Sequence, residues 1–167
     1  MSITFARLGV SAPLVEALAA QGILEPFPIQ ALTIADALAG RDVLGKAKTG
    51  SGKTLAFGVP LLDTIGRAEP RRPHGLVLVP TRELANQVKD VLVPLGKSVG
   101  LAVSAFYGGV GMEPQVDALR AGVDVIIGTP GRLIDLMERG ELSFSAVQVL
   151  VLDERSEERR VGKECRL

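Results

Sequence analysis

Residues 47–54 read AKTGSGKT, a glycine-rich stretch that precedes a helical pattern of apolar residues. Gly50 and Gly52 let the backbone turn so that its N–H groups point inward at phosphate oxygens. The lysine that follows reaches the β and γ phosphates, the threonine hydroxyl can hold Mg²⁺, and the helix start attracts an anion. The stretch therefore predicts a nucleoside triphosphate site; the alternative is a glycine-rich helix start with a chance Lys-Thr pair. The residues expected to bind the nucleotide are Lys48, Thr49, Gly50, Ser51, Gly52, Lys53 and Thr54.

Short apolar runs and helical patterns alternate on both sides of this stretch. The runs lack polar alternation, which is typical of parallel strands buried on both faces. They are Val43–Leu44, Leu76–Val79, Leu101–Phe106, Val123–Ile127 and Val147–Leu152. Helical spacing recurs between them, with Ser11 and Thr129 at expected N-caps, Pro130 as a first helical residue and Gly140 closing that helix. This alternation predicts an α/β domain, a parallel sheet flanked by helices.

The last apolar run ends in an acidic pair, Asp153-Glu154. A carboxylate at the carboxyl end of a strand in such a sheet faces the ligand crevice. We expect Asp153 to hold Mg²⁺ through water together with Thr54, and Glu154 to polarise an attacking water. The candidate catalytic residues are thus Lys53, Asp153 and Glu154; the alternative is an acidic pair that faces solvent.

Four further segments accompany these two motifs. They are PFPIQ at residues 26–30, PTRELA at 80–85, a glycine pair at 108–109 and TPGR at 129–132. Together, and in this order, the six segments resemble the motifs of a DEAD-box RNA helicase, and more narrowly those of its first RecA-like domain. The resemblance covers residues 5–154 and implies a P-loop NTPase fold of the RecA-like type.

The resemblance also assigns a base-recognition role to the segment before the phosphate loop. It implies that Gln30 reads the adenine edge, since a side-chain amide can donate to N7 and accept from the N6 amino group. It implies that Phe5 stacks on the base. Phe27 departs from the family, which usually has Thr at this position. The alternative for Gln30 is an ordinary polar residue at a helix start.

The three segments after the phosphate loop resemble the RNA-contacting motifs of the family. Threonine hydroxyls, free N–H groups and arginines that follow strands can bind phosphate oxygens, which implies sequence-independent contact with the RNA backbone. The implied residues are Pro80, Thr81, Arg82, Gly108, Gly109, Thr129, Pro130, Gly131 and Arg132. Two alternatives stay open: Thr129–Arg132 as a plain helix cap, and Arg82 with Glu83 as a helix-start charge pair. Phe106 and Tyr107 are interpreted as packing residues.

The composition excludes several other classes of protein. Of the 167 residues, 47% are hydrophobic and 23% charged, unlike a disordered chain. One Cys and one His exclude a disulfide scaffold and a multi-histidine metal cluster. No apolar run approaches the ~20 residues that cross a bilayer, and no secretory signal is visible, so we expect a soluble cytoplasmic protein without a membrane partner. Because the net charge is zero, any nucleic-acid binding must be local.

The composition shifts once, after Glu154. Residues 155–167 read RSEERRVGKECRL and hold the only Cys, whereas the family continues with Ala-Asp. Residues 155–165 match the translation of a common sequencing adapter, so we expect a non-native tail; the alternative is a native charged terminal helix. The expected organisation is an N-terminal helical segment with the adenine motif at 1–39, an incomplete RecA-like ATP-binding domain at 40–154 and the tail at 155–167.

The resemblance implies an ATP-dependent RNA helicase that uses ATP and Mg²⁺, hydrolyses ATP when stimulated by RNA and unwinds short duplexes. The family's second RecA-like domain, which supplies arginines for the transition state, is missing from this chain. The chain as written is therefore expected to bind ATP and RNA weakly, with negligible turnover. Two alternatives remain: another phosphate-loop enzyme, such as a kinase or transporter motor, and a non-catalytic RNA-binding fragment.

Overall fold

A computed structural model describes residues 2–47, 50 and 52–153 of the chain. Helices and strands alternate from the phosphate loop onward, as the sequence predicts. In chain order the elements are α1 (Ala12–Ala20), α2 (Pro28–Leu38), α3 (Lys53–Thr64), β1 (Gly75–Leu78), α4 (Arg82–Ser98), β2 (Val103–Phe106), α5 (Glu113–Ala121), β3 (Val125–Gly128), α6 (Pro130–Glu138) and β4 (Val149–Leu152).

The four strands form one parallel sheet in the order β2-β3-β1-β4. In the register of this sheet, Gly75 of β1 lies opposite Val125 of β3 and Val149 of β4. Because all four strands run the same way, the segments that follow them gather at one edge of the sheet. We call this the carboxyl edge. The predicted fold class is confirmed.

Two apolar clusters cover the two faces of the sheet. One packs Val77 and Ile127 against residues from α1, α3 and α4, and it also contains Phe5 from the N-terminal segment. The other packs Leu76 and Ile126 against residues from α5 and α6. The N-terminal helices thus share a core with the sheet.

Strand β4 is covered on one face only among the described residues. Leu150 and Leu152 lie in register with Leu76 and Leu78 of β1 and point to the same face. They are nevertheless 55% and 61% exposed. The helical layer that buries Leu76 does not reach them.

The predicted strand at Val43–Leu44 is wrong. Residues 41–47 form no strand, and Leu44 is fully exposed. Val43 and Leu44 line a cavity of about 530 Å³ together with Leu150 and Leu152, which separates them from β4. Two apolar residues without a paired neighbour strand have no ladder of hydrogen bonds to hold them extended.

The predicted helix ends are confirmed in position. Ser11 and Thr129 are the N-caps of α1 and α6, Pro130 is the first residue of α6, and Gly140 follows its C-cap with φ of 72°. Neither capping hydroxyl makes a cap hydrogen bond. The Ser11 backbone N–H instead donates to the Asp63 carboxylate at 3.0 Å.

A buried carboxylate ties loops together at the opposite, amino edge of the sheet. Asp124, just before β3, accepts hydrogen bonds from the backbone N–H of Ala68 at 2.6 Å and of Ala102 at 2.7 Å. Its backbone carbonyl accepts from His74 and Gly75. This residue therefore anchors the loops that lead into β1, β2 and β3. No helix within the described ranges is long and apolar enough to cross a membrane.

Candidate functional site

The phosphate loop leads directly into α3. Gly50 and Gly52 have φ of 85° and 82°, a left-handed conformation that favours glycine, and Gly52 is the N-cap of the helix. Lys53 and Thr54 occupy the first turn of α3, where free backbone N–H groups attract an anion. The predicted roles of Lys48, Thr49 and Ser51 fall outside the described residues.

Lys53 and Asp153 meet at the carboxyl edge. The Lys53 ammonium nitrogen lies 3.1 Å from Asp153 Oδ1. Asp153 directly follows β4, is 4% exposed, and its backbone N–H donates to the Leu78 carbonyl at 2.9 Å. Two predicted catalytic residues that are far apart in sequence are thus brought together. Glu154 falls outside the described residues, so its role stays a prediction.

The donor set at this point suits a hard cation. Asp153 Oδ1 is buried and, apart from the ion pair with Lys53, has no hydrogen-bond donor. Thr54 offers a hydroxyl one residue beyond Lys53. Carboxylate and hydroxyl oxygens are ligands that Mg²⁺ accepts, usually alongside phosphate oxygens and water. The residues present therefore fit the predicted metal.

Gln30 is linked to the phosphate loop through its side chain. It is 2% exposed; its Oε1 accepts from the Phe27 backbone N–H at 2.9 Å, and its Nε2 donates to the Gly52 carbonyl at 2.9 Å. An amide has two donor hydrogens and two acceptor lone pairs, so half of its capacity remains for a base. The contact with Gly52 goes beyond what an ordinary helix-start residue makes.

The position of Phe5 leaves its expected stacking role a prediction. Phe5 is 1% exposed and packs in the core with Leu14 and Leu18, so its ring is covered on both faces in this structure. Phe27 is 52% exposed, and a Cβ built on Gly52 would lie 2.7 Å from its Cδ2. The aromatic ring that faces both solvent and the phosphate loop is therefore Phe27. Its replacement of the family's usual Thr was the signal in the sequence.

The segment after β1 presents Pro80, Thr81 and Arg82 to solvent. Thr81 is the N-cap of α4, and its hydroxyl oxygen accepts from the Leu84 N–H at 3.2 Å. The Arg82 guanidinium lies over the ring of Tyr107, with its carbon 5.5 Å from the ring centre. Arg82 is thus engaged with the next segment of the carboxyl edge.

The segments after β2 and β3 meet through a side-chain network. Gly108 and Gly109 are exposed directly beyond β2, and Thr129 to Arg132 open α6. Arg132 donates from Nη1 to Gln115 Oε1 at 2.9 Å and from Nη2 to the Val110 carbonyl at 3.0 Å. All nine residues of the three RNA-type motifs therefore lie at one edge, and two of the five N–H donors of Arg132 already have partners.

Three residues of this network were missed from sequence. Gln115 is buried and donates from Nε2 to the Tyr107 carbonyl at 3.1 Å. The Tyr107 hydroxyl donates to Asn86 Oδ1 at 3.3 Å. From sequence alone Tyr107 is interpreted as a packing residue, although its place directly before the glycine pair is a usable signal.

Comparison with known proteins agrees with this arrangement. The family model described as DEAD/DEAH box helicase matches residues 27–162. The chain is 51% identical over 160 residues to the ATP-dependent RNA helicase DeaD of Klebsiella pneumoniae, covering 95% of this chain and 25% of that protein. It is 48% identical over 162 residues to DEAD-box ATP-dependent RNA helicase 53 of Oryza sativa subsp. japonica, covering 94% and 26%.

A solved structure shows the same fold. The RNA-helicase Prp28 from Chaetomium thermophilum, bound to ADP, superposes with a TM-score of 0.84 at 38% identity, covering 95% of this chain and 40% of that one. The chain spans about a quarter of the length of the curated relatives it matches.

Proposed function

The chain belongs to the DEAD/DEAH box helicase family, and from that premise we propose that it is the part of an ATP-dependent RNA helicase that binds ATP and one section of the RNA path. The main support for the proposal is the ion pair between Lys53 and Asp153 at 3.1 Å. It lies at the carboxyl edge, where the motif segments at 80–82, 108–109 and 129–132 also lie.

Lys53 is the residue proposed to hold the terminal phosphates. Its ammonium stands at the start of α3, where the free N–H groups add to the attraction for an anion. A phosphate would replace Asp153 as the partner of Lys53, which leaves the Asp153 carboxylate and the Thr54 hydroxyl to hold Mg²⁺. When bound, Mg²⁺ neutralises charge on the β and γ oxygens. Glu154 is proposed to orient the attacking water.

Gln30 and Phe27 are proposed to hold the base. Gln30 retains one amide hydrogen and one lone pair, the pairing that suits adenine. Phe27 supplies the exposed ring on which a base can stack. Because the amide also bonds to the Gly52 carbonyl, the base and phosphate subsites share one rigid support.

The RNA path is proposed to follow the segments at 80–82, 108–109 and 129–132, whose residues are exposed apart from the half-buried Thr129 and Arg132. Their donors are arginines, threonine hydroxyls and backbone N–H groups, which contact phosphates and sugars without reading bases. Binding should therefore be independent of sequence and should weaken steeply with salt.

Hydrolysis and unwinding are proposed for the whole protein rather than for this chain. The chain spans about a quarter of the DeaD relative, and the transition-state arginine of related phosphate-loop enzymes is worth ~10³–10⁵ in rate. The chain by itself should bind Mg²⁺-ATP and RNA weakly without multiple turnovers. The cytoplasmic location expected from the sequence stays a prediction.

The test compares Lys53→Ala with Lys46→Ala in equilibrium binding of a fluorescent ATP analogue. Lys46 is an exposed lysine that belongs to none of the motif segments, so it controls for a lost charge. Losing a charge-assisted contact of about 1.5–3 kcal/mol should weaken binding by roughly 10- to 100-fold in Lys53→Ala only. Equal affinity in both variants would contradict the proposal.

A further inference from the structure

We propose that Tyr107 and Gln115 are positioning residues, which hold Arg82 and Arg132 beside the 107–110 loop for contact with a phosphate backbone. This inference rests on the proposed RNA path and adds to it two residues that do not themselves touch the strand. It assigns Tyr107 a role through Arg82, and Gln115 a role through Arg132.

Tyr107 uses three different groups, two toward α4 and one toward α5. Its ring lies under the Arg82 guanidinium at 5.5 Å, its hydroxyl donates to Asn86 of α4 at 3.3 Å, and its carbonyl accepts from Gln115 of α5 at 3.1 Å. Its next neighbours are the exposed Gly108 and Gly109. A residue that served only for packing would need its ring, but not the hydrogen bonds to Asn86 and from Gln115.

Arg82 is held close to the glycine pair as well as over the ring. A Cβ built on Gly109 would lie 3.4 Å from Arg82 Nη1. Arg82 is otherwise exposed, and a free arginine side chain loses rotamer freedom when it binds. Stacking on Tyr107 removes part of that freedom beforehand, which favours binding of a phosphate.

Gln115 fixes the second arginine, Arg132, beside the same loop. Its buried amide accepts from Arg132 Nη1 at 2.9 Å while it donates to the Tyr107 carbonyl. Arg132 also donates from Nη2 to the Val110 carbonyl at 3.0 Å. Three of its five N–H donors remain for phosphates, and the guanidinium plane is already oriented.

The contacts form one continuous chain from Arg82 through Tyr107 and Gln115 to Arg132. It joins the segments that follow β1, β2 and β3. Shifting the 107–110 loop would therefore move both guanidinium groups together. If Tyr107 and Gln115 act through the arginines, their substitutions should not weaken RNA binding further once the arginine has been removed. The losses of affinity in the single variants should therefore not add in the double variants.

The experiment measures the Kd of a fluorescein-labelled oligouridylate for the chain by anisotropy, over a series of salt concentrations. The variants are Tyr107→Leu, Tyr107→Phe, Arg82→Ala and the double variant Tyr107→Leu/Arg82→Ala. Arg139→Ala is the control, since Arg139 is an exposed arginine at the far end of α6. Melting temperature and affinity for a fluorescent ATP analogue are measured on every variant.

Tyr107→Leu should weaken RNA binding by about 3- to 10-fold, through a lost cation–π contact and lost orientation, with ATP-analogue affinity unchanged. Tyr107→Phe, which keeps the ring, should recover most of the loss. The double variant should bind no more weakly than Arg82→Ala alone. Arg82→Ala should reduce the slope of log Kd against log salt by about 1, and Arg139→Ala should leave it unchanged.

A second pair of variants, Gln115→Met and Arg132→Ala, tests the same proposal without changing Tyr107, so the test still holds if the Tyr107 variants fold poorly. Gln115→Met keeps the shape of the side chain and removes both hydrogen bonds, so it should weaken RNA binding in the wild-type background and not in Arg132→Ala. Additive losses in both pairs, or RNA affinity unchanged in Tyr107→Leu and Gln115→Met while Arg82→Ala is impaired, would overturn this inference alone. RNA affinity unchanged in Arg82→Ala and Arg132→Ala would overturn the proposed RNA path and the inference with it.

Discussion

At the scale of single residues, the two phenylalanines near the amino terminus differ in burial: Phe5 is 1% exposed and Phe27 is 52% exposed. A family pattern indicates that an aromatic residue precedes the phosphate loop, but it does not say which ring is left exposed once the helices have packed. Phe5 is taken into the core beside Leu14 and Leu18, and Phe27 faces solvent against Gly52. Burial of this kind depends on tertiary packing, which one sequence does not display.

The exposed ring of Phe27 gives a prediction about the base. Phe27→Ala should weaken binding of an ATP analogue by about tenfold, because stacking of a base on an aromatic ring is worth ~1–3 kcal/mol. Binding of inorganic tripolyphosphate, which has no base, should not change. Phe5→Leu is the contrasting variant, expected to lower the melting temperature without changing the preference for ATP over tripolyphosphate. Equal loss for both ligands in Phe27→Ala would contradict a stacking role.

Glu141 supplies a prediction of pH dependence. The hydrogen bond from Arg120, at 2.6 Å, is the main cause that holds the pKa of Glu141 below its ordinary value, against the opposing effect of burial. The charges of Arg120 and Arg71 act in the same direction as the hydrogen bond. A carboxylate with a lowered pKa in the folded state stabilises the fold above its unfolded pKa of about 4.3, and that contribution is lost as pH falls through the folded pKa.

Glu141→Gln should therefore melt at a lower temperature than the wild type at pH 7. The difference should shrink as pH falls below about 4, where the unfolded carboxyl is protonated and the folded one begins to follow. Thermal melts across this range measure it, with Glu138→Gln, an exposed change on α6, as the control. A difference that stays constant with pH would exclude the proposed cause.

At the scale of helices and strands, most boundaries follow from local patterns. Runs such as residues 123–127 are long enough to predict a buried strand, and Thr129-Pro130 marks the start of α6. The strand predicted at Val43–Leu44 is wrong because a strand needs a neighbouring strand to pair with, and a two-residue apolar run does not specify one. The anchoring role of Asp124 could not be predicted from sequence either, because its partners Ala68 and Ala102 are distant in sequence and donate from their backbone N–H groups.

Asp124→Asn tests that anchor. Asparagine replaces one accepting oxygen by an NH₂ group, which would face a backbone N–H donor, and it removes the charge that strengthens both bonds. The free energy of unfolding should fall by about 1–3 kcal/mol in denaturant titrations. Asp90→Asn, at a largely exposed carboxylate on α4, should change it little. Similar stability in both variants would contradict the anchoring role.

The uncovered face of β4 predicts self-association. An exposed apolar edge strand pairs readily with other chains, and a lysine there opposes pairing. Leu150→Lys should reduce light scattering at high protein concentration and leave the melting temperature nearly unchanged. Leu76→Lys places the same substitution on the registered, buried neighbour in β1 and should unfold the chain. A comparable fall in melting temperature in both would show that Leu150 is buried in solution.

At the scale of the whole molecule, the parallel sheet explains why motifs spread over most of the chain act together. Each motif predicted from sequence follows or precedes a strand or helix at the carboxyl edge, so chain order could predict that they converge. What the sequence could not supply is the set of internal bonds that orient them, such as Lys53 with Asp153 and Arg132 with Gln115. Those bonds form between elements brought together by folding.

One edge of this molecule is proposed to bind both Mg²⁺-ATP and RNA. The most direct test is a map of backbone amide NMR shifts in the isotope-labelled chain, recorded with each ligand in turn. Mg²⁺-ATP should shift the amides of Gly52, Lys53, Thr54 and Asp153, and an oligouridylate should shift those at 81–82, 108–109 and 129–132. Shifts concentrated instead near Asp124 and Glu141 at the amino edge, or no shifts with either ligand, would contradict the account.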